Sequence, residues 1–363
     1  MLPYFIANIL SITFLYIGYH FKFNTKALKA ILALSALPLI IIAGFKHIKV
    51  GTDTASYVHY FNKIQTFNDV ISVAEEQGEI GFWLLNYLGH FVADNHYIVF
   101  LLSAAIISGC YFYSIKAFNL KTLSLFTLLF IGPYYFQLNG TRQAIAIAIF
   151  SISVIFILRK QFLYYLLSIL LGFLFHKSMI LCLPLYFLFI GDIKPRKVAA
   201  IMLLFIILLV FFESFINIAA DIDPRYSSYG NKQDQRGGLV VSSFNILLFV
   251  WFIICRNVNK QILATRTFDS LLILYFLGAL ISVLAMVLGV DPSGFLRMSI
   301  YFVQMSTFLL PMTILSFRDR NTRYIITFVA VILMTAYFYL TTSTFSNLTP
   351  YRFNADIEIF NES

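Results

Sequence analysis

The chain has 363 residues, of which 60% are hydrophobic, 18% aromatic and 12% charged, with 26 basic against 17 acidic side chains and a formal net charge of +9. A soluble domain carries about 25% charged residues, so an ordinary water-soluble globule is excluded. Apolar stretches of about 16–22 residues recur from end to end and match the ~20 residues a helix needs to cross hydrocarbon, whereas a barrel would show short alternating strands.

Twelve apolar segments are predicted, making an all-α polytopic membrane protein of about 12 transmembrane helices (range 10–12) in one integral membrane domain, residues 1–363. The first two are 3–21 and 29–45. No A-x-A cleavage site follows the first, so it reads as a span and not as a removed signal. The stretch HIKVGTDTASYVHYF (47–61) then reads as a Gly-Thr turn leading into a helix. Asp53 or Thr54 caps that helix, and Tyr57, Tyr60 and Phe61 share one face. Segment 80–93 is too short to span and reads as an interfacial or re-entrant helix ahead of segment 96–115.

Segments 121–137 and 143–158 come next, and Arg142 stands at the mouth of the second with no charge in the following sixteen residues. Segments 161–175 and 178–191 form a hairpin of two short legs with His176 and Lys177 at its tip. The remaining spans are 198–220, 239–255, 269–290, 296–316 and 324–341. The most polar stretch of the chain, DIDPRYSSYGNKQDQRGG (221–238), separates the first two of these and carries Arg225 and Arg236, while Arg297 opens segment 296–316.

Alternate connections hold sixteen of the 26 basic residues and only three acids, Asp192, Asp269 and Asp319. By the positive-inside rule these connections are cytoplasmic, so both termini, the loops 46–95 and 221–238, Arg142, His176 and Arg297 face outward. The basic surplus thus reflects insertion and anionic lipid, not nucleic acid. The three cysteines, Cys110, Cys182 and Cys255, lie inside apolar segments without metal-type spacing and read as packing residues. Asp221 and Asp223 look like a DxD pair, but Pro224 follows and the pair reads as loop punctuation. No metal or other cofactor is expected.

Sixteen residues rise about 24 Å and a fifteen-residue leg about 22 Å, short of the ~30 Å core. Arg142 and His176 should therefore sit at matched depth below the outer surface, lining a water-filled cavity to which the loops 46–95 and 221–238 contribute. Snorkelling side chains near helix ends are the ordinary alternative. Arginine forks facing a half-buried cavity suit a diphosphate, Tyr and Trp at that level suit sugar rings, and the depth suits a substrate with a lipid tail. A lipid-linked glycan satisfies all three.

The fragments VGTDTASYVHYF (50–61), NGTRQAIAIAIF (139–150), FLFHKSMILCLPLY (173–186) and GFLRMSIYF (294–302) resemble the Wzy-type O-antigen and exopolysaccharide polymerases, in the EpsG-like branch. The resemblance implies a metal-independent membrane glycosyltransferase of GT-C-like architecture in the bacterial cytoplasmic (inner) membrane, with its active site facing the periplasm or outside. It implies transfer of a growing glycan from undecaprenyl pyrophosphate onto the non-reducing end of a lipid-linked repeat unit, with a flippase and a chain-length regulator as partners. On that reading Arg142 and Arg297 meet the pyrophosphate, Arg225 and Arg236 assist, and Tyr57 and Gln143 contact pyrophosphate or glycan. His176 or Asp53 serves the acceptor hydroxyl as base or orienting group. The rival readings are a lipid-linked-glycan flippase and a surface-sugar acyltransferase. The first expects internal repeats and midplane polar groups; the second expects its polar groups on the cytoplasmic side.

Overall fold

A computed structural model describes residues 1–21, 23–189, 237–288 and 296–354, with isolated positions between 196 and 221. The described residues are helical, and their one β-type pairing is an isolated antiparallel bridge between Lys46 and Phe353. Among the described residues, eight helices are long and apolar enough to cross a membrane, so the chain is a multi-pass membrane protein. It forms two compact units. One holds Met1–Ile155, Leu163–Leu183 and Leu333–Ser363; the other holds Phe156–Phe162 and Pro184–Ile332.

The first unit begins with α1 (Leu2–His20) and α2 (Thr25–Gly44), joined by a buried bond from the Ser35 hydroxyl to the Ser11 carbonyl at 2.7 Å. Three short helices follow, α3 (Thr54–Lys63), α4 (Phe67–Gln77) and α5 (Ile80–His90), and then the long α6 (Tyr97–Phe118). α4 starts from a complete capping box between Thr66 and Asp69. α5 is the short helix expected at 80–93.

The segment 121–137, expected as a span, is instead an eleven-residue helix, α7 (Lys121–Ile131), followed by a 3-10 turn at Tyr135–Leu138. The cause is local: Gly132 takes a left-handed φ of +99° and Pro133 cannot continue the helix. α8 (Thr141–Leu158) is the buried centre of this unit, and every residue from Ala144 to Phe150 is nearly inaccessible. Its AIAIAIF run is apolar on all sides, as a helix surrounded by other helices requires. α9 (Phe162–Phe175) differs: Leu163, Leu167, Leu170, Leu171 and Leu174 are exposed, the pattern of a lipid-facing helix. At about 21 Å it is too short to span. The second leg of the expected hairpin is a 3-10 turn, Lys177–Cys182, and a five-residue helix, α10 (Leu185–Phe189), separated at Pro184.

The second unit contains α10 together with α11 (Gly237–Val258), α12 (Lys260–Leu263), α13 (Arg266–Leu288), α14 (Arg297–Val303), α15 (Ser306–Ser316) and most of α16 (Arg320–Leu340). α11 and α13 are tied at one end by a bidentate Arg256–Asp269 pair at 2.5 and 2.9 Å. Further along, the Ser242 hydroxyl donates to the Ser282 carbonyl at 2.7 Å. Buried hydroxyls and amides between apolar helices need such partners. Expected segment 198–220 and loop 221–238, apart from a few positions in each, lie outside the described residues, as do Arg225 and Arg236.

Candidate functional site

Four stretches of the first unit converge at the N-terminal end of α8: the loop 46–54, the turn 78–83, the approach 138–142 and the tip 174–178. Each is held by a close backbone approach or a buried polar bond.

Gly51 lies so near Leu138 that a Cβ in its place would stand 1.9 Å from the Leu138 carbonyl oxygen, and its φ of +89° is a region that favours glycine. The Thr52 amide donates to Asn139 Oδ1 at 3.0 Å. The same Leu138 carbonyl accepts from Lys46 Nζ at 2.7 Å, and that ammonium also lies 4.5 Å from the Phe100 ring centre. Lys46 is fully buried, and desolvation lowers its pKa to about 7 against the opposing charge of Asp53. Loop 46–54 is thereby clamped onto Leu138 and Asn139, just ahead of Thr141 and Arg142.

The second clamp carries the charge. Gly78 and Glu79 both have positive φ, +69° and +63°, and the Gly78 carbonyl accepts from Trp83 Nε1 at 2.6 Å. The Lys177 side chain lies across Gly78, with Cε 2.3 Å from where a Cβ would stand. This turn sends the Glu79 carboxylate inward, where its side chain is only 3% exposed. There Oε2 meets Arg142 Nη1 at 2.6 Å, Oε1 accepts from the Lys177 amide at 3.2 Å, and Oε1 stands 3.8 Å from His176 Nε2. The Arg142 guanidinium carbon is 5.1 Å from the Trp83 ring centre and 5.6 Å from that of Tyr57.

His176 caps the 3-10 turn that follows it. Its Nδ1 accepts the Ser178 amide at 3.3 Å and stands 2.7 Å from the Ser178 hydroxyl. A nitrogen that accepts an amide carries no proton, so this network assigns the ring hydrogen to Nε2, the nitrogen facing Glu79. The Arg142 and His176 side chains remain 20% and 21% exposed, so the carboxylate lies beneath two donors that water still reaches.

Arg142, His176 and Tyr57 therefore lie together in the first unit, and Gln143, next to Arg142, is buried in the first turn of α8. Asp53 occupies the N-cap position of α3 without a side-chain bond to the helix amides; its carboxylate accepts from the Thr52 hydroxyl at 2.8 Å. Arg297 opens α14 in the second unit and is half-buried there. Sequence reasoning misses Glu79, Trp83 and Lys46. Their one signal is position: Glu79 is the last charge before apolar segment 80–93 and follows a glycine, and Lys46 directly follows segment 29–45.

The described residues contain no group of three or more His, Cys, Asp or Glu side chains placed to hold a metal ion. The architecture is that of a multi-pass helical membrane protein with a buried Glu–Arg pair and a histidine gathered at one helix end. The chain belongs to the EpsG family, whose model matches residues 29–353, a family of membrane proteins implicated in exopolysaccharide synthesis. No curated protein and no solved structure matches it.

Proposed function

We propose that this protein is a polysaccharide polymerase, a metal-independent membrane glycosyltransferase of GT-C-like architecture in the bacterial inner membrane. It moves a growing glycan from undecaprenyl pyrophosphate onto the non-reducing end of a lipid-linked repeat unit, at the periplasmic or outer face. The observation that supports this reading is the Arg142–His176 pair, each one-fifth exposed, gathered with Trp83 and Tyr57 at the N-terminal end of α8.

In this reaction the acceptor hydroxyl forms a bond to the anomeric carbon as the bond to the pyrophosphate oxygen breaks. The pyrophosphate leaves with the electron pair, and the acceptor proton passes to a base. Arg142 meets the departing charge with its guanidinium fork. His176, whose Nδ1 is engaged by Ser178, contributes its Nε2–H as a second donor. Asp53 is then the group placed to orient or deprotonate the acceptor, and Tyr57 and Gln143 line the same end of α8. Arg297, Arg225 and Arg236 are further phosphate ligands on this reading, and a flippase and a chain-length regulator are its partners.

The test uses purified protein and a synthetic lipid-linked repeat unit without added metal, comparing wild type with Arg142→Ala and His176→Ala on a gel. The expected result is a ladder in wild type that both variants lose. A well-folded wild type that makes no ladder from authentic substrate would overturn the reading in favour of a flippase or an acyltransferase. A ladder that survives both changes would keep the activity and discard this site.

A further inference from the structure

We propose that the Glu79 carboxylate is a built-in counter-anion that occupies the phosphate position of this site and is exchanged for a substrate phosphate during the reaction cycle. The proposal rests on the polymerase reading for the identity of the phosphate, and on the geometry alone for the anion site.

Three nitrogens of different origin surround the two oxygens of Glu79: Arg142 Nη1 forms an ion pair at 2.6 Å, the Lys177 amide donates a hydrogen bond at 3.2 Å, and His176 Nε2 stands 3.8 Å away, just beyond hydrogen-bond reach. A guanidinium, a backbone N–H at the start of a turn and an imidazole N–H are the set that binds a phosphate oxyanion. The chain fills that set with its own carboxylate. It does so through two successive positive-φ residues, Gly78 and Glu79, and for Glu79 this is a backbone region that non-glycine residues rarely adopt. Such an outlier points to a role for the side chain it aims.

The accessibility order gives the direction of exchange. Arg142 and His176 are one-fifth exposed while Glu79 is 3% exposed and the Arg142 Nη1 that faces it is sealed from water, so an anion arriving from water meets the outer parts of the guanidinium and imidazole first. A lipid pyrophosphate carries more charge than one carboxylate and presents more oxygens to the guanidinium fork. Once it has taken Arg142, the displaced carboxylate stands beside it as a like charge, which moderates the grip and lets the pyrophosphate product leave. Glu79 is on this account a device that regulates affinity at the phosphate position.

Trp83, 5.1 Å from the Arg142 guanidinium, reports on this exchange directly. The chain has two tryptophans, so Trp251→Phe leaves Trp83 as the single emitter. Full-length protein in lipid nanodiscs is titrated with inorganic pyrophosphate while the Trp83 emission is recorded, for Glu79, Glu79→Gln and Glu79→Asp. One unit charge removed a few ångströms from a bound anion changes affinity by about tenfold or more at an effective dielectric near 20. Glu79→Gln is therefore expected to bind pyrophosphate at least about tenfold tighter than the parent, with Glu79→Asp, whose shorter carboxylate is drawn back from Arg142, in between.

A carboxylate that merely held Arg142 in place would give the opposite sign, because its loss would free the guanidinium and weaken binding. Unchanged or weaker binding in a Glu79→Gln protein that melts and elutes like the parent overturns the proposal. If Glu79→Gln does not fold, Glu79→Asp carries the test alone, and binding no tighter than the parent overturns it. A parent protein with no pyrophosphate response overturns it as well. Tighter binding in the variants together with no polymer ladder from wild type would refute the polymerase and leave the counter-anion standing.

Discussion

The energetic weight of the site can be measured by a double-mutant cycle on Glu79 and Arg142. Their nearest atoms are 2.6 Å apart, and the carboxylate is almost sealed from water while the guanidinium is one-fifth exposed. Unit charges about 4 Å apart attract by about 4 kcal/mol at an effective dielectric of ~20. Removing one partner of a buried pair costs ~3–5 kcal/mol, because the other charge stays behind unpaired. Arg142→Met leaves Glu79 with only the Lys177 amide and a distant imidazole, for an expected loss of about 3 kcal/mol. Glu79→Gln leaves a guanidinium that still reaches water and the Trp83 and Tyr57 faces, for an expected loss of about 1–2 kcal/mol. The double variant carries no stranded charge and should lose less than the two single losses together, giving a coupling of about 2 kcal/mol or more. The assay is reversible unfolding in mixed micelles followed by circular dichroism. The exposed Lys63–Glu76 pair, at 46% and 53% exposure, serves as the control and should show no measurable coupling. A coupling below about 0.5 kcal/mol for Glu79–Arg142 would refute the claim that this pair is a buried, mutually dependent unit.

Gly51→Ala should destabilise by about 3 kcal/mol or more, since a left-handed φ penalty adds to a backbone clash that a side-chain rotation cannot relieve; a wild-type melting curve would contradict the close approach to Leu138. Lys46 makes stability depend on pH: between about 7, its folded pKa, and 10.5, its ordinary value, the unfolded chain holds a proton the folded chain lacks, so stability rises with pH through that window. Below about 7 the cost of protonating it is present in full, and Lys46→Met should abolish the slope in pH-dependent melts. Asp53→Ala should change stability by less than about 0.5 kcal/mol, because no cap bond to α3 is lost, yet it should reduce polymer formation and lower the Lys46 pKa further by removing the charge that opposes its desolvation. A loss of stability without loss of polymer would reverse that assignment.

Much of this is legible in the sequence because charge is rare there. Arg142 and His176 interrupt apolar runs, and simple rise-per-residue arithmetic predicts a common depth for them; α9 has about the short length that arithmetic assumes. The run at 121–137 misleads because Tyr134, Tyr135 and Phe136 keep the stretch apolar across Gly132–Pro133, where the backbone turns. Glu79 escapes notice for the opposite reason. It follows Glu75 and Glu76, two exposed acids of α4, and beyond the preceding glycine little in the local sequence sets the buried acid apart from them. Its burial is made by non-local contacts, the Lys177 stem across Gly78 and the Arg142 guanidinium sixty-three positions away, which no periodicity encodes. Lys46 is hidden in the same way, since its carbonyl partner at Leu138 belongs to a different part of the chain.

The presence of Arg142 in so apolar a chain follows from how its charge is solvated. A lone guanidinium at membrane depth would be costly, and here a carboxylate and two aromatic faces replace the water it gives up. That replacement is made during folding, so the donors are already oriented when a second anion arrives and little reorganisation remains to be done during the reaction. The same economy explains why the carboxylate comes from a strained turn on a separate stretch of chain and not from α8 itself. An acid one helical turn from Arg142 would be bound to it permanently, whereas one carried by the Gly78–Glu79 turn can be withdrawn by a change in two backbone angles.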